Sequence, residues 1–156
     1  MKGFKCGLEI HQRLSSGSKL FCRCSDVPVG PGVAPSGSLR RRLQAVVGET
    51  GKEDRAAVFE QSRGREFVYQ LFDDHSCLID VDEQPPFPIN QDALDTVLSI
   101  SLLLNCTCVD ELVVMRKTVV DGSSPSAFQR TALVATGGFL ETSRGKVGIQ
   151  TVCIEE

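Results

Sequence analysis

The sequence predicts an α+β domain, a mostly antiparallel sheet with two helical segments. Three observations carry that expectation. Behind Asn90 a run of apolar side chains recurs at helical spacing. Beyond Cys106 the chain becomes a series of short β-favouring runs divided by glycine turns. The third is composition: 156 residues with 41% hydrophobic and 24% charged side chains is an ordinary globular make-up, large enough to bury roughly 70% of the unfolded surface.

The elements follow in order. Residues 4–10 alternate and read as a first strand that delivers Glu9 and His11 at its end. Residues 15–18 are a turn and 19–22 a short extended piece. Residues 25–37 hold three prolines and three glycines, so they are loop. Residues 54–72 favour helix, with Ala56, Ala57, Phe59, Phe67 and Val68 as core contacts and Gly64 as a weak point. Residues 76–82 read as a strand stopped by Pro85-Pro86-Phe87-Pro88.

Asn90 then caps the clearest helix. Leu94, Val97, Leu98, Ser101 and Leu102 recur at three and four residues, and Asp92 and Asp95 sit where the helix dipole favours acids. Residues 111–120, 130–136, 139–142 and 146–154 are strand candidates. Gly137-Gly138 and Ser143-Arg144-Gly145 are the hairpin-type turns between them.

No linker or repeat divides the chain, so residues 1–156 are expected to be one unit. The last strand runs to Ile154-Glu155-Glu156 without an exit turn, and the chain is expected to be cut there. The N-terminus has no apolar run of signal-peptide length. The longest apolar-leaning stretch, residues 93–104, is too short to span a bilayer, so no membrane association is expected. Seven cysteines, an odd number without framework spacing, fit a cytoplasmic protein with reduced thiols. Cys6, Cys106, Cys108 and Cys153 read as small buried hydrophobes. A net charge of −3 excludes a general polyelectrolyte binder.

Four constellations could carry chemistry. In Gly7-Leu8-Glu9-Ile10-His11 the acid and the imidazole are two residues apart and share a strand face. They could bind a divalent ion or exchange a proton, or form a plain surface pair. Glu155 and Glu156 are adjacent, so at most one faces a given site unless the chain bends. Cys22-Arg23-Cys24 is half a zinc site without a second pair at a usual spacing. Cys77 or Cys153 could complete it only through folding, and two ordinary thiols is the simpler reading.

The fourth constellation is Met115-Arg116-Lys117 followed by the hydroxyl-rich loop Asp121-Gly122-Ser123-Ser124-Pro125-Ser126. Adjacent cations and small loop residues suit a phosphate cradle, with Ser123 as a candidate nucleotide contact. A polar turn flanked by solvated cations is the alternative. Arg40-Arg41-Arg42, Arg63 and Arg65 read as solvated faces. No Gly-x-Ser-x-Gly occurs, and His75 has only Asp73 and Asp74 beside it, so no nucleophile stands out.

Taken together, these segments resemble the glutamyl-tRNA(Gln) amidotransferase family that contains the bacterial B-type and archaeal E-type subunits. Gly7-Leu8-Glu9-Ile10-His11-Gln12 and Lys19-Leu20-Phe21-Cys22-Arg23-Cys24 look like its N-terminal signature. Asp54-Arg55-Ala56-Ala57, Arg65-Glu66-Phe67-Val68-Tyr69 and Asp82-Glu83-Gln84-Pro85-Pro86 look like the archaeal E-type branch. So do Met115-Arg116-Lys117, Asp121-Gly122-Ser123, the run from Ser126 to Leu133, and Gly148-Ile149-Gln150-Thr151.

The resemblance implies the N-terminal part of a cradle domain that binds ATP and Mg²⁺. It implies a ligase reaction in which ATP phosphorylates the glutamyl side chain of misacylated Glu-tRNA(Gln) and ammonia then yields Gln-tRNA(Gln). The metal role falls on Glu9, His11, Glu155 and Glu156. Glu9 and His11 would be catalytic, with Arg116 and Lys117 neutralising nucleotide or acyl-phosphate charge. The ammonia would come from an asparaginase-like glutaminase, the D-type partner of the archaeal system.

Two departures accompany the resemblance. The Cys-x-x-Cys that follows Cys-x-Cys in the bacterial B-type branch is missing, so zinc is not expected. The Asp after Glu-Glu, and the helical and tail domains that engage tRNA, are also missing, so little transamidation is expected of this chain by itself. The rival expectation is a truncated, non-catalytic paralogue that binds the glutaminase or RNA.

Overall fold

In the computed structural model, which describes residue 3 and residues 6–48 and 50–156, the chain forms two helices and two antiparallel sheets. The α+β class is as expected. The smaller sheet pairs β1 (Gly37–Arg42) with β2 (Glu66–Leu71), Arg40 opposite Val68. Between them lies the short helix α1 (Arg55–Ser62), capped by the Asp54 carboxylate on the Ala57 N–H.

The larger sheet is built on β5 (Phe128–Thr142). The final strand, β6 (Gly145–Glu155), follows one of its edges through the hairpin at Ser143-Arg144. The other edge is shared by β3 (Thr107–Cys108), opposite Ala135–Thr136, and by β4 (Val114–Thr118), opposite Phe128–Ala132. Helix α2 (Gln91–Leu103) covers the sheet, its Asn90 side chain accepting from the Ala93 N–H. Ala93, Val97 and Ser101 lie one turn apart and face a core of Leu20, Phe21, Ala132, Val134 and Ile154. Ser101 is tolerated there because its hydroxyl donates to the Val97 carbonyl at 2.8 Å.

Several expected boundaries move, each for a physical reason. Residues 54–72 are not one helix. Gly64 takes φ +63°, ending α1, and the alternating Glu66-Phe67-Val68-Tyr69-Gln70-Leu71 finds an edge in β1. The three arginines at 40–42 lie on that strand, with Arg40 and Arg42 solvated as expected and Arg41 half-buried, donating to the Val81 carbonyl at 2.6 Å. Gly137-Gly138 is not a hairpin turn but lies inside β5. The chain needs glycine there because a Cβ on Gly138 would sit 2.4 Å from the Leu104 carbonyl oxygen and 2.2 Å from Cys106 Sγ. A register shift between Leu133 and Ala135 leaves Val134 as a bulge, turned wholly into the core.

Residues 76–82 are turns rather than a strand, closed by Asp80 N–H to the Cys77 carbonyl at 3.2 Å and Asp82 N–H to the Ile79 carbonyl at 3.2 Å. The expected first strand is also absent among the described residues; Phe4 and Lys5 lie outside them, and residues 6–14 take no regular structure. The Asp26 carboxylate anchors the end of that segment, accepting from the backbone N–H of Ser16 at 2.6 Å and Gly17 at 2.9 Å. Among the described residues no helix is long and apolar enough to cross a membrane.

Candidate active site

The pleat of the larger sheet sorts the expected site residues onto two faces. Thr131 lies opposite Glu155, and Met115 opposite Thr131. Alternation therefore puts Lys117, Thr131 and Glu155 on one face and Arg116, Arg130 and Glu156 on the other.

On the first face, four of the expected residues converge. His11 Nδ1 is 3.2 Å from Glu155 Oε1, and His11 Nε2 is 3.1 Å from Glu9 Oε1. Lys117 Nζ stands 3.5 Å from Glu155 Oε2 and 4.0 Å from Glu9 Oε1. Thr131, which the sequence did not single out, donates its hydroxyl to Glu155 Oε2 at 3.1 Å. Glu9 and His11 are largely exposed, whereas the Glu155 side chain is only 19% exposed.

Glu155 Oε1 is shielded from solvent and makes no hydrogen bond among the described residues; the His11 nitrogen is near it but not aligned. A shielded carboxylate oxygen left without a donor is costly, and a cation is the partner that relieves it. Two carboxylates and an imidazole beside open solvent fit Mg²⁺, which takes one or two carboxylates and keeps several waters.

Glu156 does not join them. Its Oε2 accepts from the backbone N–H groups of Leu20, at 2.5 Å, and Phe21, at 3.1 Å. The Leu20 and Phe21 carbonyls in turn accept from Asn90 N–H at 2.8 Å and Phe87 N–H at 2.9 Å. Burial pushes the Glu156 carboxyl up, opposed by the Phe21 N–H and the Lys19 charge. This carboxylate anchors the Leu20–Phe21 segment to the sheet and is not positioned to share a metal with Glu155.

Arg116 also parts from Lys117. Its guanidinium forks onto Asp82 with two contacts of 3.2 Å and lies 4.1 Å from the centre of the Phe128 ring. The buried Arg130 reaches the same Asp82 at 3.4 Å and the Ile79 carbonyl at 3.3 Å. Ser123 sits in a turn held by the Asp121 carboxylate on its N–H at 2.8 Å. That loop docks on the smaller sheet, where Tyr69 donates to the Ser124 carbonyl at 3.1 Å. Among the described residues no hydrogen bond joins Ser123 to Arg116 or Lys117. The expected phosphate cradle is thus divided, with Lys117 alone beside the acids.

Cys22 and Cys24 meet Cys77 and Asp80 through the fold. The sequence offered Cys77 or Cys153 as a partner for this pair only through folding. The fold brings Cys77 and adds Asp80, which sequence reasoning missed because it assigned the segment to a strand. The signal available was the Cys-x-x-Asp spacing of residues 77–80, which a turn, unlike a strand, can close on itself.

Residues 4–156 match the family described as the GatB/GatE catalytic domain. The chain is 46% identical over 154 residues to the E-type glutamyl-tRNA(Gln) amidotransferase subunit of Methanocaldococcus jannaschii, covering 99% of this chain and 24% of that protein. The E-type subunits of Methanothermobacter thermautotrophicus and Methanosarcina acetivorans are each 47% identical over the same share of this chain. The chain spans about a quarter of the length of these relatives.

Proposed function

This chain belongs to the GatB/GatE catalytic-domain family, and we propose that it serves as the N-terminal, ATP-binding part of a glutamyl-tRNA(Gln) amidotransferase subunit. In the proposed reaction, a side-chain carboxylate oxygen of tRNA-bound glutamate attacks the γ-phosphorus of ATP and ADP leaves. Ammonia then attacks the acyl carbon, phosphate leaves, and the nitrogen gives up a proton to complete the amide of Gln-tRNA(Gln). The ammonia is supplied by an asparaginase-like glutaminase, the D-type partner, in the cytoplasm.

Glu9, His11 and Glu155 would hold Mg²⁺, which when bound neutralises charge on the transferring phosphoryl group. Thr131 fixes the Glu155 carboxylate by donating to Oε2, leaving Oε1 free for an ion. Lys117, a point charge beside both acids, balances them and can reach a phosphoryl oxygen. Arg116 is committed to Asp82 and the Phe128 ring and shapes the opposite face.

The observation that carries this reading is the meeting of Glu9, His11, Lys117 and Glu155 from three separate segments around one unpartnered carboxylate oxygen. The test is ATP-dependent phosphorylation of Glu-tRNA(Gln) by the full-length protein carrying Glu9→Gln or His11→Ala. Loss of phosphoryl transfer with tRNA binding retained supports the reading. Unchanged transfer sinks it and favours a binding module.

A further inference from the structure

We propose that Asp82 is a positioning residue of the candidate active site. It clamps Arg116 of β4 to Arg130 of β5 on one face of the sheet, and so holds Lys117 beside Thr131 and Glu155 on the other. The inference deepens the proposed function and rests on it for the reading of Lys117 and Glu155 as active-site groups.

The need for a clamp follows from the register. Arg116 stands directly opposite Arg130 in the β4–β5 ladder, both on the face away from the acid cluster. Like charges directly opposite one another push an antiparallel pair apart. Arg130 is only 7% exposed, so solvent ions screen little of its charge. The Phe128 ring lies between them, its centre 4.1 Å from Arg116 Cζ and 5.1 Å from Arg130 Cζ. Among the described residues, Asp82 is the one carboxylate paired with either arginine.

The contacts of Asp82 are those of a bridge. Its Oδ1 lies 3.2 Å from Arg116 Nη2 and 3.4 Å from Arg130 Nη2, so one oxygen joins both strands. Its Oδ2 takes Arg116 Nη1 at 3.2 Å. The turn, not the arginines, sets this carboxylate in place. Asp82 N–H donates to the Ile79 carbonyl at 3.2 Å and Glu83 N–H to the Leu78 carbonyl at 2.9 Å, while Ile79 and Val81 are buried. The backbone at Asp82 takes φ +58°, a left-handed conformation that Asp and Asn accept more readily than other residues with side chains.

The clamp reaches the site through a single step of pleat, because Lys117 and Thr131 directly follow the two arginines. Arg130 also exchanges backbone hydrogen bonds with Glu156, at 2.9 and 3.0 Å, which ties the end of β6 to the same row. On the site face, Glu155 accepts from Thr131 on β5 and from Lys117 on β4. Splaying β4 from β5 therefore lengthens the Lys117–Glu155 contact, 3.5 Å in the intact sheet, and leaves the Thr131–Glu155 contact in place.

The test is a cycle of variants in the full-length protein: Asp82→Asn, Arg116→Met and the two combined. Asn tolerates the left-handed backbone and removes the charge. Asp82→Asn is expected to speed amide hydrogen exchange across Val114–Thr118. It should also slow single-turnover phosphorylation of Glu-tRNA(Gln) by about 10-fold or more, the scale of a small misplacement in a site. Arg116→Met should stay within a few fold of wild type in both. The combined variant should return to the Arg116→Met values, because the repulsion leaves with Arg116; a plain loss of structure would add instead.

If Asp82→Asn does not fold, the combined variant decides. A folded protein with recovered transfer supports the clamp, and failure of both overturns it. Exchange or transfer unchanged in Asp82→Asn, or a combined variant as impaired as Asp82→Asn, would overturn it as well. Glu9→Gln separates the two levels: transfer lost there but intact in Asp82→Asn sinks the clamp alone. Transfer indifferent to Glu9→Gln sinks the active-site reading, and exchange in β4 still decides the clamp.

Discussion

His11 Nδ1 meets Glu155 Oε1 at 3.2 Å, joining the first described segment of the chain to its last strand. The contact exists because β6 pairs with β5 in a register that brings Glu155 opposite Thr131 at the end of the sheet. A slip of one residue would turn Glu155 inward and offer Glu156 to His11 instead. The candidate site is therefore a consequence of sheet register, and what fixes that register is testable.

Glu156 is the first such element. Replacing it by Ala leaves the Leu20 and Phe21 N–H groups without their acceptor, and a loss of about 1–3 kcal/mol is expected. Glu155→Gln, which removes a carboxylate whose Oε1 has no hydrogen-bond donor, should cost little. Urea denaturation of the two variants checks this, and equal losses would refute the division of roles.

The two adjacent cations should also separate. In the full-length protein, Lys117→Met is expected to slow phosphorylation of Glu-tRNA(Gln) by about 10²-fold, the scale of losing one charge-stabilising group. Arg116→Met should stay within a few fold, since it removes an exposed ion pair and a ring contact worth together about 1 kcal/mol. Single-turnover rates decide it. Equal damage from both would return Arg116 to the site.

Gly138→Ala tests the long strand. Its new Cβ would meet a backbone carbonyl as well as Cys106 Sγ, so a loss of about 1–3 kcal/mol in thermal or urea unfolding is expected. A neutral result would mean that the strand is not pressed against Leu104 as described.

Asp121 gives a pH signature. The Ser123 hydroxyl, and then the Ser123 backbone N–H, hold its carboxyl below the usual value of 3.8. A folded-state value below the unfolded one means that its contribution is present above pH 3.8 and lost as pH falls through the folded value. Carbon NMR titration should find the Asp121 midpoint below 3.8, rising in Ser123→Ala. An unmoved midpoint would free Ser123 from its turn-holding role.

Much of this molecule is legible in the sequence where one local signal decides. Asn90 and the recurrence of Leu94, Val97, Leu98, Ser101 and Leu102 announce α2, because capping and periodicity act within a few residues, although the buried stripe is Ala93, Val97 and Ser101. The alternation argument that at most one of Glu155 and Glu156 could face a site also holds. The sequence could not say which one, because that depends on the β5–β6 register. Gly137-Gly138 resembles a turn for the same reason that it serves a close approach: both demand a missing side chain. The segment at 76–82 is β-favouring in composition, yet its Cys77 and Asp80 close a turn on each other. Thr131 and Asp82 carry no local signal for their roles, since the partners Glu155, Arg116 and Arg130 lie far along the chain.

At the centre stands the proposed divalent-cation site of Glu9, His11 and Glu155, from which the Glu156 carboxylate is turned away. Mn²⁺ binding to the full-length protein, followed by electron paramagnetic resonance in Glu155→Gln and Glu156→Gln, tests it most directly. Glu155→Gln is expected to weaken Mn²⁺ binding by about tenfold or more, the scale of losing one charged ligand, while Glu156→Gln stays within about twofold of wild type. Unchanged binding in Glu155→Gln, or loss of binding in Glu156→Gln with the fold intact, would contradict it.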